Sequence, residues 1–198
     1  VDLDPSQLLQ SNTLGVSPAG KVITITYKHG GGTSHNLPAN TINTFVGQAI
    51  VTFPNSPTIL MPNPFYQIYE GASILSGANI YFLNCDEETG YLTDFTSVPE
   101  KTWRSCQLIY ICSPGNPSGA VLSNSKMQEL IKLADKYDFI IASDECYSEI
   151  YYNEEKPPAG LLEACSIIRR HNYKRCVVFH SLSKRSNLPG LRSGFVAG

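Results

Sequence analysis

Leu108-Ile109-Tyr110-Ile111-Cys112-Ser113-Pro114-Gly115-Asn116-Pro117-Ser118-Gly119 is an apolar, β-favouring run that breaks into a Pro/Gly-rich turn, and the segment after that turn decides the class of fold. Helical periodicity begins at Ser125-Lys126-Met127-Gln128, with Met127, Leu130, Ile131 and Ala134 on one face. Ser125 and Gln128 are spaced to cap each other's free amides at the start of that helix. Phe139-Ile140-Ile141-Ala142-Ser143 is then a second short apolar run. Strand, helix, strand is the repeat of a parallel sheet with crossover helices.

The same alternation extends in both directions. Residues 58–61 read as a strand, and 66–76 as a helix closed by Gly77, where a left-handed residue ends the helix. Residues 78–83 read as the next strand. Downstream, a helical pattern runs through Leu161, Leu162, Cys165 and Ile168, and residues 176–180 read as the last strand. The expected class is α/β, a mostly parallel sheet with crossover helices on both faces. Residues 1–55 are different, an irregular segment punctuated by Gly, Pro, Ser, Thr and Asn in which only 22–27 alternates as a strand should. One domain, the large one, is expected over 56–198.

Composition narrows the function classes. The chain has 198 residues, 42% of them hydrophobic, which is enough for one α/β domain with a core. Its formal net charge is -2 with 16% charged residues and no basic stripe, so no nucleic-acid partner is expected. No apolar stretch approaches the roughly 20 residues that cross a bilayer, so no membrane partner is expected. The start Val-Asp-Leu-Asp-Pro lacks the features of a secretion signal and an initiator Met, which reads as a fragment or processed product. The six cysteines include no C-x-x-C pair and read as reduced, mostly buried thiols of a cytoplasmic protein. They share no ligand spacing with the histidines, so no metal site is expected.

Open parallel sheets bind ligands beyond the carboxyl ends of their strands. Three such ends carry chemistry. After 108–112, Asn116 offers an amide in an N-P-S-G turn, which taken alone is also ordinary turn chemistry. After 139–143, Asp144 is a carboxylate at the end of a buried strand, which needs a cationic partner or else serves as a helix N-cap. After 176–180, Ser181, Ser183, Lys184 and Arg185 are followed by Pro189-Gly190-Leu191-Arg192, a compact path that makes an anion site with an amine beside it. With Tyr147, the inventory is one able to hold an aromatic, phosphorylated aldehyde.

The ordered set N-P-S-G, then D-x-x-Y, then S-L-S-K with Arg192 eight residues after Lys184 resembles the class I/II (fold-type I) aminotransferases that use pyridoxal 5'-phosphate. Three stretches, 62–71, 143–151 and 181–198, are most similar in wording to the succinyldiaminopimelate aminotransferases of bacterial lysine biosynthesis. The resemblance implies that Lys184 holds the cofactor as a Schiff base and then moves a proton as a free amine. Asp144 would pair with the pyridinium nitrogen, with Tyr69 standing behind it. Tyr147 and Asn116 would bond the ring oxygen, Tyr66 would stack on the ring, and Ser181, Ser183 and Arg192 would hold the phosphate. Arg185 and Arg192 would be the cations that lower the Lys184 pKa. The family's upstream phosphate turn has one candidate, Gly30-Gly31-Gly32-Thr33-Ser34, with Pro38 where its helix should run. Against that resemblance, the small domain that would carry the substrate-carboxylate arginine is expected to be absent from these 198 residues. Amino-acid and keto-acid substrates and a homodimer of the intact protein are implied. A lyase or decarboxylase on the same fold and a non-catalytic remnant are the alternative readings.

Overall fold

A computed structural model of the chain describes residues 57–198. The expectations at 22–27 and 30–34, like the rest of 1–55, lie outside the described residues. The elements in order are β1 (Thr58–Asn63), α1 (Gln67–Leu75), β2 (Asn79–Asn84), a 3-10 turn (Phe95–Ser97), α2 (Glu100–Ser105), β3 (Cys106–Cys112), α3 (Asn124–Tyr137), β4 (Ile140–Asp144), α4 (Leu161–Ile167), β5 (Cys176–Ser181), α5 (Leu182–Arg185), a second 3-10 turn (Pro189–Leu191) and β6 (Gly194–Ala197).

The six strands form one sheet in the order β2-β1-β3-β4-β5-β6. The first five are parallel, and β6 lies antiparallel against β5. The α/β class with a mostly parallel sheet is therefore the fold. Core clusters lie on both faces, which is why the strands read as largely apolar runs. On one face Leu60, Ile109, Ile111, Ile141 and Val178 meet Met127, Leu130, Ile131 and Ala134 of α3 and Leu161, Ala164 and Cys165 of α4. On the other, Ile59, Met61 and Cys112 meet Tyr69 of α1. Tyr69 also stacks on Tyr110 of β3, centroids 4.7 Å apart.

Local chemistry explains the element ends. Gly77, at φ 71°, takes the left-handed position after α1. Its amide bonds the Ile74 carbonyl and that of Ala78 bonds Ser73, which satisfies the last turn's free acceptors. At α3 the cap is Ser123 rather than Ser125. Ser123 is extended and its hydroxyl accepts the Lys126 amide, while Ser125 lies inside the first turn and hydrogen-bonds Ser123. In α4 the fourth apolar position differs from expectation, since Ala164 is buried and Ile168, past the helix end, is 38% exposed. Between β2 and β3, where no periodic pattern marks an element, lies α2, which delivers Trp103 to stack on Phe139 at 5.3 Å. β6, too, has no alternating signal of its own in the sequence. All six cysteines are free thiols, five buried and Cys146 half-buried. Among the described residues no helix is long and apolar enough to cross a membrane.

The α3 face carries much of the core, because Leu130 is fully buried among side chains from the sheet and α4. Leu130→Ala is expected to cost about 2–5 kcal/mol through lost transfer energy and a residual cavity. Thermal or urea unfolding measures it; a cost below about 1 kcal/mol would mean that the site collapses around the smaller side chain.

The topology also locates the ligand crevice. From β1 the chain moves one way to β2, then crosses back to β3 on the other side, so the connections leaving β1 and β3 diverge. In sheets of this order the crevice opens at that switch point, beyond the carboxyl ends of the strands.

Candidate active site

The carboxyl ends of β1, β3, β4 and β5 bring the expected residues to one edge of the sheet. Asp144 is the last residue of β4, in register with Cys112 of β3 and Phe179 of β5. It does not cap a helix, since β4 runs into a turn in which the Asp144 Oδ1 accepts the Cys146 amide at 3.1 Å. Its Oδ2 accepts the Tyr69 hydroxyl at 2.5 Å. Among the described residues no Lys, Arg or His pairs with Asp144, so the cation that the sequence reading asks for does not come from this part of the chain. A half-buried carboxylate held by a phenol and an amide is open to a cationic ring nitrogen.

Tyr69 is built to keep that donation. Burial pushes its phenol pKa up, and the neighbouring Cys112 and Asp144 push it further. The hydroxyl therefore stays protonated across the physiological range. Tyr69→Phe keeps the ring on Tyr110 and removes only this donor. It is expected to lower turnover of the full-length protein about tenfold, the size of one hydrogen bond to a charged group. Unchanged steady-state kinetics would show that the bond merely packs α1 on the sheet.

Tyr66, the residue before α1, meets Tyr69 edge-on with centroids 5.8 Å apart and is 37% exposed. The turn after β3 places the Asn116 side-chain amide 3.3 Å from the Tyr147 hydroxyl as donor. Burial raises the Tyr147 pKa, with Cys112 and Asp144 adding to it. The two residues expected on one ring oxygen thus touch each other.

At the end of β5, Ser181 accepts the Ser183 amide at 3.1 Å and its hydroxyl bonds that of Ser183 at 2.9 Å. The segment from Leu182 to Ser193 closes on itself, the Leu182 amide bonding the Ser193 carbonyl at 3.0 Å. That closure brings Arg192 Nη1 to 3.5 Å from Ser183 Oγ and 3.0 Å from the Pro189 carbonyl. Lys184 is exposed on α5, and among the described residues its amine makes no hydrogen bond or ion pair. Arg185, next to Lys184 in the chain, has its Nε 3.5 Å from Glu149 Oε1, an ion pair half open to solvent. The nearby Cys146 thiol does not compete as a nucleophile, since burial and Asp144 push its pKa up to about 12.

The donor set fits pyridoxal phosphate on its own chemistry: an unpaired carboxylate, an amide and phenol together, two hydroxyls with a guanidinium, and a free amine. Two features escape the sequence reading, the buried Glu145 beside Asp144 and the His180 that faces it. A carboxylate next to a site carboxylate, at the end of a buried strand, was the available signal.

The family model Aminotransferase class I and II matches residues 41–198. The chain belongs to this family. Its members depend on pyridoxal phosphate, in keeping with the donor set. Over 141 residues the chain is 37% identical to LL-diaminopimelate aminotransferase of Aquifex aeolicus, an alignment covering 71% of this chain and 35% of the relative. Among solved structures, an aminotransferase from Neisseria meningitidis superposes with TM-score 0.68 at 52% identity, over 72% of this chain and 36% of that one. The probable N-succinyldiaminopimelate aminotransferase of Thermus thermophilus gives TM-score 0.66 at 29% identity, over 74% and 37%. The chain therefore spans a little over a third of the length of these relatives.

Proposed function

We propose that the full-length protein is a pyridoxal-phosphate-dependent aminotransferase that exchanges an amino group between an amino acid and a keto acid, and that residues 56–198 are its cofactor-binding large domain. The observation that carries this reading is the pairing of a cation-free carboxylate, Asp144, with a free amine, Lys184, at neighbouring strand ends in a member of this family.

When bound, the cofactor supplies an aldehyde for amines and a cationic ring that draws negative charge away from the substrate α-carbon. The residues would do the rest. Asp144 would hold the ring nitrogen's proton, and Tyr69 would fix the carboxylate's orientation. Asn116 and Tyr147 would donate to the ring oxygen, and Tyr66 would cover the ring face. Ser181, Ser183 and Arg192 would bind the phosphate, with the planar guanidinium able to meet two oxygens at once. Lys184 Nζ would anchor the aldehyde and, once released, carry the proton at the substrate α-carbon. The intact protein is proposed to be a homodimer.

For substrate, we propose N-succinyl-LL-2,6-diaminopimelate with 2-oxoglutarate as amino acceptor, in lysine biosynthesis. The wording of residues 62–71, 143–151 and 181–198 supports it. The identity to an LL-diaminopimelate aminotransferase favours a second reading, the same reaction on the free diamine. Assaying the full-length protein with 2-oxoglutarate and each compound, and following glutamate, separates them. Turnover with N-succinyl-LL-2,6-diaminopimelate at least about tenfold above the free diamine supports the first reading; the reverse ratio supports the second. Product formation that needs no keto acid would instead make it a lyase or decarboxylase, and absence of any turnover a non-catalytic relative.

A further inference from the structure

We propose that Glu145 is a positioning residue for the site, acting through His180 to set the strand end that carries Ser181, Ser183 and Lys184. The inference rests on the cofactor reading above. Asp144 is the last residue of β4 and Glu145 the next, its amide still bonded to the Phe179 carbonyl of β5. The strand's alternation therefore carries one residue further and sends the two side chains to opposite faces of the sheet. Asp144 shares its face with Cys112, which packs under α1. Glu145 projects to the α3 and α4 face and touches none of the cofactor's donor set.

Its carboxylate is buried, with 6% of the residue exposed. Burying a charge in that way demands partners, and three are present. Oε1 accepts the Ser143 hydroxyl at 3.0 Å and the Leu161 amide, the first of α4, at 2.8 Å. Oε2 lies 3.5 Å from His180 Nε2. The space is closely matched, since a Cβ at Gly160 would come 3.2 Å from Oε2. Glu145 also donates its backbone amide to the Phe179 carbonyl at 2.9 Å.

His180 relays the contact. It is the residue before Ser181, and its ring stacks on Phe195 of β6, centroids 4.7 Å apart at 22°. Phe195 is in register with His180, and Gly194 with Ser181. A side chain at Gly194 would run into the His180 carbonyl oxygen, so β6 lies flush on β5 at this point. The row Glu145, His180, Phe195 therefore runs from the end of β4 across β5 to β6 on the face opposite the donor set. Above it sit Asp144 on one side and, on the other, the segment from Ser181 to Arg192. Two of the carboxylate's three partners hold β4 and α4; only the contact at Oε2 reaches β5, the strand that leads into the α5 turn carrying the lysine.

The test compares Glu145→Gln and His180→Phe, singly and together, in the full-length protein. Glu145→Gln keeps an oxygen for Ser143 and Leu161 and removes the charge opposite His180. His180→Phe keeps the stack on Phe195 and removes the nitrogen. Each single change is expected to weaken pyridoxal-phosphate binding about tenfold and to reduce the visible circular dichroism of the bound cofactor. The double variant should lose no more than either single one, because both remove one coupling. Melting temperatures of the cofactor-free proteins should stay within about 3 °C of wild type. Wild-type affinity and dichroism in the single variants overturn the proposal, as do losses that add in the double variant or follow melting temperature. Wild-type protein in which borohydride fixes no cofactor on Lys184 overturns the cofactor reading, and this inference with it.

Discussion

Lys184→Ala in the full-length protein is expected to abolish borohydride-fixed attachment of pyridoxal phosphate and to reduce transamination by about 10³-fold or more, within the range that a positioned proton-transfer group contributes. The amine is exposed on a short helix, and among the described residues it has no hydrogen-bond or ion-pair partner to lose. The substitution should therefore leave the fold and its melting temperature essentially unchanged. Ser181, Ser183 and Arg192 remain in the variant, so non-covalent uptake of the cofactor should survive, weakened and without a Lys184 label. Peptide mapping after borohydride reduction reads the attachment directly. A cofactor label found on another lysine, or equal labelling in the variant, would remove Lys184 from the role.

Asp144→Asn should act on turnover more than on cofactor retention. The asparagine oxygen can still accept from Tyr69 or from the Cys146 amide, so the turn after β4 has what it needs. What disappears is the negative charge that would keep the ring nitrogen protonated. Loss of one such electrostatic contact is expected to lower kcat by about 10²-fold, or about 2.7 kcal/mol, with cofactor affinity changed by about tenfold or less. Adding Tyr69→Phe should cost little more, because that hydroxyl acts through the same carboxylate. A variant within twofold of wild-type kcat would place the charge-bearing partner elsewhere.

The strands around residues 108–112, 139–143 and 176–180 were legible in the sequence because the middle strands of a parallel sheet are largely apolar on both sides. Asp144 and Lys184 stood out for the complementary reason, as charged groups where buried strands end. The serine that caps α3 was misread, since Ser123 and Ser125 are equally good caps and the choice falls to the turn that delivers the chain from β3. Ile168 fits the helical period of α4, but the helix ends before it and the buried volume is filled by Ala164. That Glu149, from the turn after β4, lies within ion-pair reach of Arg185 is visible only in the fold, since the two are far apart in sequence.

By itself, the sequence determined the α/β class, the places where strands end, and the kinds of group found there, because burial and turn chemistry are properties of short segments. Tertiary structure alone decided which groups meet. The strand order puts β1, β3, β4 and β5 side by side so that Tyr69 reaches Asp144 and Asn116 reaches Tyr147. It also decided which of two adjacent carboxylates faces the crevice. Asp144 and Glu145 differ by one step along a pleated strand, and only the packing of α1 on one face and α3 and α4 on the other gives that step a meaning.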